Sequence, residues 1–278
     1  MKQFKPFSKF WSHLDKSEVD RRRANLESHF KNTKNKLKCD KSVLNTLGAL
    51  AMKNGKTEAA LSYWDLVFQI EKNVSYSWNL VNISPESRDP KTATARLIEI
   101  ANADTLDASK LGDIDKSVKA KKRWAEIHNL SINPSTPLEV LTTIAEFEGT
   151  RGFFGENISC TPELIWKSAT NGEADDALSN PAVPLDLIEE VFISSRNFWE
   201  HKLIARNLAT PTDDYFLVYA GLKTSEEATG IKMKIGYKIQ MELIENPCLP
   251  DLVIEALSKT SNSRLLKKIE TWKSMNLS

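Results

Sequence analysis

Three stretches of this chain repeat one pattern: Asn133-Pro134-Ser135-Thr136-Pro137-Leu138, Asn180-Pro181-Ala182-Val183-Pro184-Leu185 and Asn246-Pro247-Cys248-Leu249-Pro250-Asp251. Looser copies stand at Ile158-Ser159-Cys160-Thr161-Pro162, Asn207-Leu208-Ala209-Thr210-Pro211 and Asp89-Pro90-Lys91-Thr92. Each mark is a turn followed at once by apolar residues at three-to-four spacing. After the first come Leu138, Leu141, Ile144 and Ala145; after the second come Leu185, Ile188, Val191 and Phe192. That is the spacing of a helix with one buried face. The first proline of a mark ends the helix before it and holds its Asn extended. The second suits a first helical turn, where the missing amide does no harm, and Thr136 is placed to cap the helix it precedes. Self-similarity on this scale decides architecture before any single residue does, and it predicts an all-α solenoid of short helical repeats.

The second prolines, at 137, 162, 184, 211 and 250, are 25, 22, 27 and 39 residues apart. Three intervals are one repeat each; the last is long enough for a degenerate unit or an insertion, with a helix over 225–238 as the candidate. On these marks the chain resembles the leucine-rich repeat variant family across about residues 89–260. The resemblance implies α-helices alternating with 3₁₀ helices in a right-handed superhelix, so the expected fold is a right-handed α-solenoid. HEAT-like repeats are the structural rival. Linker lengths vary, Ala93 replaces an expected proline, and Lys121-Lys122-Arg123-Trp124-Ala125 replaces the Arg-Ala-rich helix usual in the family. One member of that family carries an iron–sulfur module. Cys39, Cys160 and Cys248 cannot supply a four-cysteine cluster, and no cofactor is expected.

Ahead of the marks, Ser17-Glu18-Val19-Asp20 reads as a capping box opening a helix to about Lys38. Leu44, Leu47-Gly48, Ala51, Ala60 and Trp64 resemble one tetratricopeptide hairpin, turned at Asn54-Gly55, with Ala60 making room for Trp64. The expected division is therefore a basic N-terminal helical region over 1–85 and the repeat array over 86–278. Charge follows it loosely: residues 1–60 carry fourteen basic against six acidic side chains, a net +8, leaving −7 for the rest. Such asymmetry hints at an anionic partner, although Arg21-Arg22-Arg23 also reads as an ordinary solvated helix face.

Chemistry is sparse. His13, His29, His128 and His201 lie in different units without metal-ligand spacing, and no nucleophile elbow, Walker loop or dinucleotide fingerprint occurs. Gly149-Thr150-Arg151-Gly152-Phe153-Phe154-Gly155 reads as a loop between repeats. Acids just after the marks, among them Glu139, Glu163, Asp186 and Asp251, suit helix N-termini and need no function. No apolar run reaches the ~20 residues of a membrane span, and Lys5, Pro6, Ser8 and Lys9 interrupt any secretory signal. Scattered cysteines fit a reduced, cytoplasmic setting.

The expected function is a non-enzymatic scaffold that binds a protein or peptide on its concave face. Its candidate contact residues are Arg21, Arg22, Arg23, Lys119, Lys121, Lys122, Arg123 and Trp124. The alternative is a nucleic-acid binder using the basic N-terminal region with the 116–123 cluster. A third reading, a base-excising enzyme of HEAT-like fold, would need Trp124 with Glu126 or Trp166 with Glu163 lining a groove.

Overall fold

The structure, a computed structural model, describes residues 7, 10–73, 85–102, 126–146, 153–172, 174–195, 197–211, 215–224 and 236–276. Every regular element among them is helical. In chain order these are α1 (Lys16–Asn32), α2 (Lys41–Lys53), α3 (Thr57–Asn73), α4 (Thr94–Asn102), α5 (126–132), α6 (Leu138–Ala145), α7 (Pro162–Thr170), α8 (Ala174–Ser179), α9 (Leu185–Ser194), α10 (Phe198–Arg206), α11 (Leu217–Ala220), α12 (Tyr237–Leu243), α13 (Asp251–Ser258) and α14 (Ser263–Asn276). Short 3₁₀ turns lie at Lys36–Lys38, Pro85–Ser87 and Phe153–Glu156.

The chain divides into two compact units, residues 1–8 with 48–180 and residues 9–47 with 181–278. The division expected near residue 85 is not where the chain separates. The basic N-terminal region is split between the units, because α1 packs on α14 in the second while Asp65 of α3 pairs with Lys91 at 3.1 Å in the first.

What joins successive marks is a ladder of buried asparagines. Asn133 Nδ2 donates to Ser87 O and Asp89 O, both at 3.1 Å. Asn157 Nδ2 donates to Ser131 O and Asn133 O, both at 2.8 Å, and Asn180 Nδ2 to Gly155 O at 2.7 Å and Asn157 O at 2.9 Å. In the second unit Asn246 Nδ2 repeats the step onto Ala205 O and Asn207 O. At Asn133, Asn157, Asn207 and Asn246 the carboxamide oxygen also accepts the amide two residues on, an Asx turn. Only a side chain with both a donor and an acceptor does both jobs, which is why Asn recurs.

The ladder settles the long intervals. Asn246 bonds directly to the rung at Asn207, so the 39 residues between the second prolines hold an insertion rather than a further rung. Residues 225–235 of the expected helix lie outside the described residues. Two marks, at Asp89 and Asn157, follow a 3₁₀ turn, and four follow an α-helix.

Local expectations needed three corrections. The Thr136 hydroxyl does not cap α6; it donates backward to Leu130 O at 2.6 Å, quieting a carbonyl at the end of α5. Thr210 Oγ1 does the same to Ile204 O at 2.7 Å and the Cys160 thiol to Phe154 O at 3.1 Å. Pro137, Pro184 and Pro250 are themselves the N-cap residues, extended and without a side-chain cap bond; Pro162 alone sits inside its helix, after a Thr161 cap. Helix α1 is capped by Asp15, which accepts from Glu18 N at 2.8 Å, and it ends at Asn32 rather than Lys38.

In the N-terminal hairpin Gly48 admits Trp64 of the facing helix: a methyl there would stand 2.3 Å from Trp64 Nε1. The Asn54-Gly55 turn is as expected, with Gly55 left-handed at φ 73°. Gly155 is held for the same reason as Gly48, since a methyl would meet Ser168 Oγ at 2.2 Å, and Phe154 beside it is fully buried.

Candidate interaction surfaces

The three consecutive arginines do not form a solvated or open basic face. Helix α1 lies over the last two marks, and Arg22, at 0% exposure, drives its guanidinium between them and Glu18. Nη1 donates to Leu208 O at 2.6 Å, Nη2 to Thr210 O at 3.0 Å, and Nε to Glu18 at 2.6 Å. Its guanidinium carbon lies 5.9 Å from the Trp11 ring and 5.8 Å from the Phe216 ring. Arg21 donates to Glu18 and, through Nη2 and Nη1, to Cys248 O at 2.9 Å and Leu249 O at 3.3 Å. Arg23 alone faces outward, paired with Asp20 at 3.1 Å. Arg22 is therefore withdrawn from any partner surface, and Arg21, 31% exposed, is largely engaged within the chain; the reason is physical, since a fork of donors matches a row of turn carbonyls.

Neighbours extend the strap. Trp11 Nε1 donates to Pro181 O at 3.0 Å, His13 Nε2 to Ala209 O at 2.8 Å, and Asn25 Nδ2 to Pro247 O at 3.3 Å. In the first unit the same carbonyl, one past the Asn position, is taken by the next mark's serine: Ser135 Oγ on Pro90 O and Ser159 Oγ on Pro134 O, both at 2.5 Å. The later marks put Ala209 and Cys248 at that serine position, and the strap supplies the missing donors, Trp11 to Pro181 O and Arg22 to Leu208 O. Burial weighs against the Glu18 charge, yet the bonds from Arg21 and the charge of Arg22 hold its carboxyl down to about 2. Burial lowers the pKa of His13 below its ordinary value, as it does that of His29. At the other end Trp272 Nε1 of α14 donates to Asn246 O at 2.9 Å, the carbonyl a further Asn would otherwise take.

A second surface sits on α10, whose first turn is capped by Asn197 through Trp199 N. Trp199 is 58% exposed and Phe198 38% exposed, with their rings 5.9 Å apart. Lys202 Nζ stands 4.7 Å over the Trp199 ring, and Lys202 and Arg206 approach Glu242 of α12 at 3.7 and 3.8 Å. Tyr237 opens α12 half exposed. Trp64 and Trp272, by contrast, are core. The readable signal was Phe198-Trp199 together at a helix start, where one buried face cannot take both.

Lys119, Lys121, Lys122, Arg123 and Trp124 lie outside the described residues. His201 is a buried, satisfied side chain, bonded to Tyr219 Oη at 2.9 Å and Ser195 O at 3.2 Å. Burial raises the Cys248 thiol to about 12 and the Cys39 thiol to about 11, the wrong direction for a nucleophile. No helix among the described residues is long and apolar enough to cross a membrane. In comparisons with known proteins no family model matches the chain, and neither a curated protein nor a solved structure does.

Proposed function

We propose that the repeats stack as a right-handed α-solenoid and that the protein is a non-enzymatic scaffold holding a protein or peptide partner. The reading rests on the α10 surface. A tryptophan more than half exposed, beside an exposed phenylalanine and under a lysine, is the composition of an interface anchor, since Trp and Arg dominate interface energetics. Its surroundings are organised by structural bonds: the Asn ladder and the α1 strap use the polar groups of the interior for packing. For nucleic acid, Arg22 is spent inside the molecule and Arg21 largely so, which leaves that reading the exposed lysines of the N-terminal region, such as Lys31, Lys34 and Lys38, and the cluster at 116–123.

A photo-crosslinking residue placed at Trp199, in cells, tests the proposal against the same probe at exposed Leu252 of α13. A discrete protein adduct at position 199 that is absent at 252 is the expected result. Adducts at neither position, or a nucleic-acid adduct lost in high salt, would replace the scaffold reading.

A further inference from the structure

The strap shows which chemistry the turn face of a mark accepts. At the marks of Asn207 and Asn246, the carbonyls two and three residues past the Asn all receive a side-chain donor from the N-terminal segment: Ala209 O from His13, Thr210 O from Arg22, and Cys248 O and Leu249 O from Arg21. At the marks of Asn133 and Asn157, built by the same ladder, the matching carbonyls are those of Ser135, Thr136, Ser159 and Cys160. No described residue donates to them. Burial marks which of them are reachable: Leu208, Ala209 and Thr210 are buried under the strap, whereas Pro134, Ser135 and Ser159 remain partly open, with Thr136 and Cys160 buried beside them.

Charge points the same way. In the second unit Asp251, in the first turn after its mark, is an acid near Arg21: burial weighs against the Arg21 charge, Glu18 outweighs it, and Asp251 adds to it. In the first unit Glu139 and Glu163 occupy the first turns of α6 and α7 and are exposed. The whole segment 48–180 holds fourteen basic and nineteen acidic residues, a net −5.

We propose that the turn face formed by the Asn133 and Asn157 marks binds an arginine-bearing helix of a partner protein, its guanidinium groups donating to the carbonyls of the partly open Ser135 and Ser159 as Arg21 does to Cys248 O within the chain. The proposal rests on the scaffold reading and names the chemistry of the partner.

The probe is a synthetic fluorescent peptide of residues 10–33, the chain's own strap sequence, titrated onto the full-length protein and read by anisotropy. Saturable one-to-one binding is expected. It should weaken at least tenfold when the peptide carries Arg21→Ala and Arg22→Ala, and at least tenfold when the protein carries Glu139→Lys and Glu163→Lys. If the double variant melts, Glu139→Gln alone should still weaken binding about threefold. Absence of saturable binding overturns the proposal. So does binding that ignores the Glu139 and Glu163 changes but falls with Asp251→Lys, since the peptide would then be displacing the resident strap. An adduct at Trp199 without peptide binding would leave the scaffold standing and remove only this inference; peptide binding without that adduct would do the reverse.

Discussion

Asn157 bears on four other residues at once. Its amide quiets Ser131 O and Asn133 O, its oxygen holds Ser159 N, and its own carbonyl receives Asn180. An unsatisfied buried polar group costs about 1–3 kcal/mol, so Asn157→Ala should lower stability by about 3 kcal/mol in urea denaturation. Asn157→Asp should be nearly as harmful, because a carboxylate keeps the acceptor and loses both donors. A loss below ~1 kcal/mol for both variants would remove the ladder as a stabilising device. Arg22→Lys is the companion case: one ammonium cannot span Leu208 O, Thr210 O and Glu18, and an incompletely paired buried charge costs several kcal/mol. The expected drop is about 3 kcal/mol, against less than ~0.5 for the exposed Arg23→Lys. The recurrence of Asn was plain in the sequence, but its purpose was not. Pro-marked turns announce where a helix stops, whereas the partner of a side-chain amide some two dozen residues away depends on how repeats stack. The same gap explains Thr136, whose local cap role was outcompeted by a carbonyl left open behind it.

At the scale of elements, helix positions after each mark were readable because apolar spacing and proline placement agree, and α6, α7, α9 and α13 start where expected to within a residue. Helix α1 misled in a telling way. Its charge-rich surface looked solvated, because a periodicity argument counts arginine as polar and cannot see a guanidinium satisfied by backbone carbonyls of a distant segment. Glu18, three and four residues before Arg21 and Arg22, was the available hint. Removing residues 1–38 should uncover the turn carbonyls of the Asn207 and Asn246 marks together with Phe216. The truncated protein should bind a hydrophobic dye several-fold more strongly and lose hydrogen-exchange protection in α10 and α13. Unchanged protection there would mean the strap adds nothing to the unit it covers.

At the scale of the whole molecule, the described groups with titrations that bear on folding near neutral and acid pH collect in one unit. His13 and His29 have depressed pKa values when folded, so the unfolded chain binds protons more readily; the stability they confer is complete above about 6.5 and declines as pH falls below it. The Glu18 contribution is complete above its ordinary 4.5 and is lost as pH falls from there toward about 2. Hydrogen exchange between pH 7 and 5 should therefore show α1, α10 and α14 losing protection before α6 and α7, and His13→Gln, which retains a donor for Ala209 O, should flatten that slope. Equal loss in both units would contradict the assignment. The division itself was not legible, since composition placed a border near residue 85 while the strap, by reaching across the sequence to residues 181–276, drew it elsewhere. Trp272 has a last consequence. By sheathing Asn246 O with an indole, α14 closes the acceptor that a further rung would use, so a second copy continuing the ladder there would first have to evict a buried aromatic. Truncating that indole, as in Trp272→Ala, should uncover Asn246 O and make that surface adhesive, visible as concentration-dependent scattering.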